Sequence, residues 1–215
     1  MLILIFANGE FATTPDLSDL LDRAGLIIAA DGGANHCARL GIVPDILLGD
    51  LDSVETGLLQ KLQAQGVAIH RHPPEKDATD LELALDLALD RGATAVWLVG
   101  ALGGRWDMSL ANIMLCALEK YRSLPITLVG ADCRMHILRS GQPFTVHPTH
   151  PGRKVSLLPL GGDIQGITLE GFQYPLRDAS LPFGSSRGIS NVLTEETGTV
   201  RLEQGVLLCI CLENE

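Results

Sequence analysis

The sequence predicts an α/β domain built on a parallel sheet, followed by a compact antiparallel β domain. Three observations carry that expectation. Short continuous apolar runs, Leu2–Phe6, Leu26–Ala30, Ile46–Leu48, Val96–Val99 and Ile126–Val129, have the unbroken hydrophobicity of strands buried on both faces. Segments of helical spacing separate most of them, as a βαβ chain requires. From Cys133 onward helical periodicity disappears and short β-prone runs alternate with turns.

The first strand, Leu2–Phe6, ends at the turn signal Asn8-Gly9, and Asp16–Arg23 is expected as a short helix. The second strand, Leu26–Ala30, ends at Asp31-Gly32-Gly33. The glycines allow a sharp turn into a helix from Ala34 to about Leu40, which puts Asn35 in its first turn. Asp31 then stands at the carboxyl edge, where α/β sheets bind ligands. The third strand, Ile46–Leu48, delivers Gly49-Asp50-Leu51-Asp52-Ser53 to the same edge. Residues i and i+2 of an extended backbone point the same way, so Asp50 and Asp52 are expected to converge. Carboxylates that close demand a proton or a cation, and Mg²⁺ suits oxygen donors. Taken alone, the stretch reads equally well as a loop whose acids cap a helix beginning near Val54.

A helix over Thr56–Gln65 and a strand over Val67–His70 continue the pattern, and His70–Pro74 is proline-stiffened loop. His70 and His72 have no third ligand in view and read as solvated. Lys76-Asp77-Ala78-Thr79-Asp80 opens a helix whose Leu81, Leu85, Ala88 and Leu89 recur at helical spacing, capped by Thr79 or Asp80. After Val96–Val99, the run Gly100–Asp107 is a glycine-rich turn ahead of an apolar helix from about Met108 to Tyr121. Such a turn offers backbone N–H groups to phosphate oxygens, and Arg105 adds a bidentate donor. Tight packing explains the glycines as well, since the run lacks the ending of a P-loop and the spacing of a dinucleotide fingerprint. Ile126–Val129 is the sixth strand.

In the second half, strands are expected at Arg134–Leu138, Phe144–Val146, Val155–Leu158, Ile164–Leu169, Ile189–Leu193, Val200–Leu202 and Val206–Leu212. Leu181–Gly188 is a Gly/Ser-rich loop leading to Ser190-Asn191. The domains are expected over residues 1–138 and 139–215, the boundary falling in the stretch from Cys133 to Gln142.

Composition narrows the function classes. The 215 residues are 46% hydrophobic and 20% charged, as in an ordinary globular protein. A net charge of −10 argues against nucleic acid or an anionic membrane as partner. Five cysteines scattered through apolar segments fit buried reduced thiols in a cytoplasmic protein. The apolar opening is too short to span a membrane and lacks a basic leader region, so it reads as a strand.

Five motifs in order, Asp31-Gly32-Gly33-Ala34-Asn35, Gly49-Asp50-Leu51-Asp52-Ser53, Lys76-Asp77-Ala78-Thr79-Asp80, Gly103-Gly104-Arg105-Trp106-Asp107 and Gly188-Ile189-Ser190-Asn191, resemble those of the thiamine pyrophosphokinase family. Gly171–Leu176 is similar to a strand and turn of that family's β domain. The resemblance implies a mostly parallel Rossmann-like α/β/α domain followed by an antiparallel β-sandwich. It also implies a homodimer with active sites at the subunit interface, and transfer of a pyrophosphoryl group from ATP to thiamine with Mg²⁺. On that reading Asp50, Asp52, Asp77 and Asp31 would hold the metal. Lys76 and Arg105 would grip phosphate oxygens, with Asp31, Asn35, Gly103, Gly104 and Asp107 also around ATP. Asp77 or Asp80 would be the base, and Ser190 and Asn191 would bind the aminopyrimidine. Many family members carry His where this chain has Met108, so no ring nitrogen acts there. A related pyrophosphokinase for a pterin-like acceptor, and a non-catalytic nucleotide- or vitamin-binding module, are the alternatives.

Overall fold

A computed structural model describes residues 1–11, 17–147 and 152–213; the first residue of the expected helix at Asp16 lies outside them. The chain divides into two compact units, Met1–Leu115 with Ser123–Ala131, and Cys116–Arg122 with Asp132–Glu215.

The first unit alternates strands and helices. Its elements are β1 (Leu2–Phe6), α1 (Leu17–Arg23), β2 (Leu26–Ala30), α2 (Gly33–Arg39), β3 (Ile46–Gly49), α3 (Leu58–Ala64), β4 (Ala68–Arg71), α4 (Asp80–Asp90), β5 (Ala95–Val99), α5 (Trp106–Cys116) and β6 (Ile126–Val129). The strands pair in parallel in the order β6-β5-β1-β2-β3-β4. Leu4, Phe6, Ala29 and Leu47 form one core with Leu17 and Leu20 of α1, Ala34 and Cys37 of α2 and Leu62 of α3. Ile3 and Ile5 alternate with Leu4 and Phe6 and are equally buried, so both faces of β1 are covered, which is why its sequence shows no polar alternation.

Three helix boundaries differ from expectation for local reasons. The third helix begins at Leu58, behind Gly57 at φ 83°, rather than at Thr56. Helix α4 begins at Asp80 because the Thr79 hydroxyl accepts from the Glu82 amide at 3.2 Å, fixing the N-cap. The helix expected to reach Tyr121 stops at Cys116: Leu118 is extended (φ −58°, ψ 144°), and a one-turn 3₁₀ segment, Glu119–Tyr121, follows. The carbonyls freed at Ala117 and Leu118 accept from Arg139 Nη2 at 2.7 and 2.9 Å.

The second unit is antiparallel. It contains β7 (Cys133–Arg139), β8 (Phe144–Val146), β9 (Lys154–Pro159), β10 (Ile164–Glu170), β11 (Leu176–Leu181), β12 (Asn191–Val192), β13 (Gly198–Arg201) and β14 (Val206–Leu212). One run of strands is β12-β9-β14-β7 and a separate sheet is β11-β10-β13-β8. Leu138, Val155, Leu157, Leu207, Cys209 and Cys211 of the first share a core with Ile164, Ile167, Leu169, Leu181 and Val200 of the second. Strand β11 was not expected. Its sequence, Leu-Arg-Asp-Ala-Ser-Leu, buries only the end leucines and pairs with β10 through register shifts, so it carries no period-two signal. The strand expected over Ile189–Leu193 shrinks to two residues because Ser190 has φ 55°. All five cysteines are buried and reduced; Cys209 Sγ and Cys211 Sγ lie 3.9 Å apart.

Candidate active site

The parallel register aligns the carboxyl ends of β1, β2, β3 and β5, so the loops after them meet along one edge. The turn after β3 brings Asp50 and Asp52 together, but by a route other than extended alternation. Leu51, between them, is left-handed at φ 68°, and the Asp52 amide donates to Asp50 Oδ1 at 3.2 Å. The acids do not cap the next helix, which starts five residues beyond Ser53 with no side-chain cap. Asp31, itself at φ 47°, joins them: its amide donates to Leu48 O at 2.8 Å, and its Oδ1 accepts from the Ser53 amide at 3.3 Å. One carboxylate oxygen from each of Asp31, Asp50 and Asp52 lies within 4.8 Å of the other two, a donor set suited to a hard cation. Asn35 braces this turn, its Nδ2 donating to Ser53 O at 2.8 Å and its Oδ1 accepting from the Glu55 amide at 2.9 Å.

Gly49, at φ 138°, keeps the cluster tight. A Cβ there would stand 3.1 Å from Asp31 Cβ and 3.1 Å from the Asp80 carboxyl. Lys76 Nζ lies 3.1 Å from Asp80 Oδ1 and 3.8 Å from Asp50 Oδ2, linking the two acidic groups. The Asp80 Oδ1 atom is buried, with the Lys76 ammonium as its neighbour. Burial raises the Asp80 carboxyl above the ordinary range; Lys76 opposes this, and Asp50 and Asp31 add to it. Asp77 is exposed and lies outside the three-carboxylate cluster.

Next to the carboxylates opens a cavity of about 560 Å³, a size typical of small-molecule sites. Asp31, Lys76 and Asp80 line it together with Gly103, Gly104 and Arg105 of the glycine-rich turn. Arg105 is exposed and forked onto Asp107, Nη2 to Oδ2 2.5 Å and Nε to Oδ1 3.2 Å. That hydrogen bonding holds the Asp107 carboxyl below its usual range and raises Arg105. Met108 lies on the cavity wall, so a thioether occupies the place where a ring nitrogen was in question. Sequence reasoning missed one wall. Asn8, Gly9 and Glu10 line the cavity, held by Gly9 N to Gly100 O (2.6 Å) and Glu10 N to Leu102 O (2.9 Å). The signal was available, because Asn8-Gly9 follows β1 at the same edge as the acidic motifs.

In the second unit, Ser190 is exposed and its amide donates to Ser156 Oγ at 3.0 Å. Asn191 is only 4% exposed. Its Oδ1 accepts from the Tyr174 amide at 3.0 Å and its Nδ2 donates to Tyr174 O at 2.9 Å, so it pins the turn at Tyr174. Tyr174, Phe183 and Ile189 are large apolar side chains left exposed in the neighbouring segments.

Known proteins share this fold. Residues 17–128 match the family described as thiamin pyrophosphokinase, catalytic domain, and residues 143–207 match thiamin pyrophosphokinase, vitamin B1 binding domain. A thiamine pyrophosphokinase from Bacillus subtilis (strain 168) is 33% identical over 208 residues, covering 97% of each chain. The crystal structure of a thiamine pyrophosphokinase from Bacillus subtilis superposes with a TM-score of 0.89 at 32% identity, covering 100% of both chains. One from Geobacillus thermodenitrificans gives 0.85 at 30% identity, covering 100% of this chain and 99% of that one. With both domain families matched in order and the acidic motifs standing at one sheet edge, the chain belongs to the thiamine pyrophosphokinase family.

Proposed function

We propose that this protein transfers the pyrophosphoryl group of ATP, as a unit, to the hydroxyethyl oxygen of thiamine, giving thiamine diphosphate and AMP. The observation that carries the reading is the cluster of Asp31, Asp50 and Asp52 beside a glycine-walled cavity that Lys76 and Arg105 enter. The oxygen-only donor set of Asp31, Asp50 and Asp52 fits Mg²⁺. Asp31, Asp50 and Asp52 would hold the ion directly and Asp77 through water. When bound, the ion neutralises charge on the β- and γ-phosphates.

The rest is done by side chains of this chain. Lys76 and Arg105 hold phosphate oxygens, and Gly103 and Gly104 line the same cavity, the Gly103 amide donating to Ser109 Oγ at 3.0 Å. The thiamine hydroxyl oxygen bonds to the β-phosphorus while the bond from that phosphorus to the oxygen bridging the α-phosphate breaks, and AMP leaves with that oxygen. The hydroxyl proton passes to a carboxylate, Asp80 or Asp77; the raised affinity of Asp80 for a proton favours it. Ser190 would hydrogen-bond the aminopyrimidine, with Asn191 fixing Tyr174 beside it.

The first unit is read as a Rossmann-like α/β/α ATP domain and the second as a β-sandwich that binds thiamine; β7, Cys133–Arg139, pairs antiparallel with β14 inside the second unit, so the boundary is drawn before Cys133 rather than at residue 139. A cytoplasmic homodimer with active sites at the subunit interface completes the reading, which rests on family resemblance. No helix among the described residues is long and apolar enough to cross a membrane. The match of residues 143–207 to a vitamin B1 binding domain favours thiamine over a pterin-like acceptor.

With ATP, Mg²⁺ and thiamine, purified protein is expected to release AMP one-to-one with thiamine diphosphate, and a chelator is expected to stop it. ADP release, or AMP release indifferent to thiamine, overturns the reading; stimulation by a hydroxymethyl pterin instead reassigns the acceptor.

A further inference from the structure

Behind the cavity wall stands a histidine that neither the mechanism nor the sequence motifs used. His36, on α2, is 7% exposed. Its Nδ1 lies 2.6 Å from Arg39 Nη2 and its Nε2 lies 2.8 Å from the Gly9 carbonyl. A guanidinium only donates and a carbonyl only accepts, so the two partners leave a single consistent arrangement: Nδ1 bare, Nε2 carrying hydrogen, the ring neutral. Burial favours the same state, lowering the ring's affinity for a proton, and Arg39 works in the same direction.

The far end of this relay is the wall itself. Gly9 accepts from His36 and donates to Gly100 O at 2.6 Å. A Cβ on Gly9 would stand 2.6 Å from Gly100 O and 2.7 Å from Leu102 O. A Cβ on Gly100, at φ 69°, would meet Ala7 O at 2.6 Å and the His36 ring at 3.4 Å. The ring is thus wedged against two bare-backbone segments that both face the cavity. On the other side, Arg39 Nη1 stands 3.8 Å from Glu55 Oε1, in the turn that Asn35 braces. One short helix therefore carries both supports, Asn35 for the acidic turn and His36 for the cavity wall.

We propose that His36 is a positioning residue for the nucleotide: its Nε2–H, fixed by Arg39, holds the Gly9–Gly100 wall at the spacing ATP requires. The proposal rests on the reading of the cavity as an ATP site. It acts on binding, not on the reacting atoms, so its loss falls on KM for ATP.

The test compares His36→Phe, which keeps a ring and loses the donor, with His36→Gln, whose amide N–H can reach the Gly9 carbonyl, in full-length protein. His36→Phe is expected to raise KM for ATP about tenfold, the scale of one lost hydrogen bond, with kcat and KM for thiamine within about twofold. His36→Gln is expected to recover most of the loss. An unchanged KM for ATP, equal losses in the two variants, or a loss confined to kcat overturns the proposal. Should His36→Phe fail to fold, the ¹⁵N spectrum of the wild-type imidazoles decides: a neutral Nε2–H ring at pH 7 supports the relay, and an Nδ1–H or charged ring overturns it. Absence of thiamine-dependent AMP release from the wild type would refute the functional reading instead, and leaves the spectrum as the test of the relay.

Discussion

Asp31, Leu51 and Ser190 are three of the four non-glycine residues with positive φ among the described residues, and all three fall in the motifs assigned to the site. Such backbone costs on the order of 1–3 kcal/mol per residue and persists only where the surroundings enforce it. At Leu51 the enforcement is burial of its side chain and the Asp52-to-Asp50 turn, which sets two carboxylates side by side. That acids follow the strands was legible in the sequence; that a leucine would turn left-handed between them was not, because no local signal marks it. Asp52→Asn is expected to lower kcat by at least 100-fold with an unchanged circular dichroism spectrum, the scale seen when a single charge-stabilising group is lost. Undiminished turnover would remove Asp52 from the proposed metal site. A second residue gives a pH expectation. Burial depresses the His136 imidazole to about 4, with Arg134 assisting. The unfolded ring titrates near 6.5, so the stability that His136 contributes is present above that pH. It declines as pH falls towards the folded value. Between pH 7 and pH 5 the decline from this ring is about 2 kcal/mol. His136→Phe is expected to flatten that part of the stability curve in urea titrations, and an unchanged slope would refute the assignment.

Helix α2 shows what sequence can and cannot say about an element. Its glycine-rich entry was legible as a sharp turn; the reason for Gly33 in particular lies in packing. A Cβ at Gly33 would come 1.9 Å from the Phe6 carbonyl oxygen and 2.5 Å from its carbon, atoms of a central strand that cannot yield. Gly33→Ala is therefore expected to destabilise by about 3 kcal/mol or more in denaturant titrations, at the upper end of overpacking effects. Gly92 is the contrast. It has φ 70° with nothing within 4 Å of a built Cβ, so Gly92→Ala is expected to lose only about 1 kcal/mol, from backbone conformation alone. Equal losses would mean that contact distances do not decide between them. Strand β11 is the opposite case: its pairing with β10 makes it a strand, and a sequence of Arg, Asp and Ser between two leucines gives no hint of it.

For the whole molecule, the change from α/β to antiparallel texture was readable because a parallel sheet covered on both faces and a two-sheet β unit impose different hydrophobic periods. Oligomeric state leaves no such trace in local patterning. If the homodimer reading is right, light scattering of active protein gives twice the 23.0 kDa chain; a monomeric active species contradicts it. Trp106, 88% exposed, Leu110 and Met114 stand at four-residue spacing on α5, an apolar stripe that an isolated chain leaves in water. The buried thiols have a practical consequence of their own. Cys37 belongs to the first unit and Cys133, Cys209 and Cys211 to the second, and all are shielded. An alkylating reagent can mark each only when its unit opens, so pulsed labelling with peptide mapping turns the cysteines into two separate clocks of unfolding. It also leaves the native surface free of background reaction, so a cysteine placed at exposed Glu55 would carry a single probe beside the acidic turn.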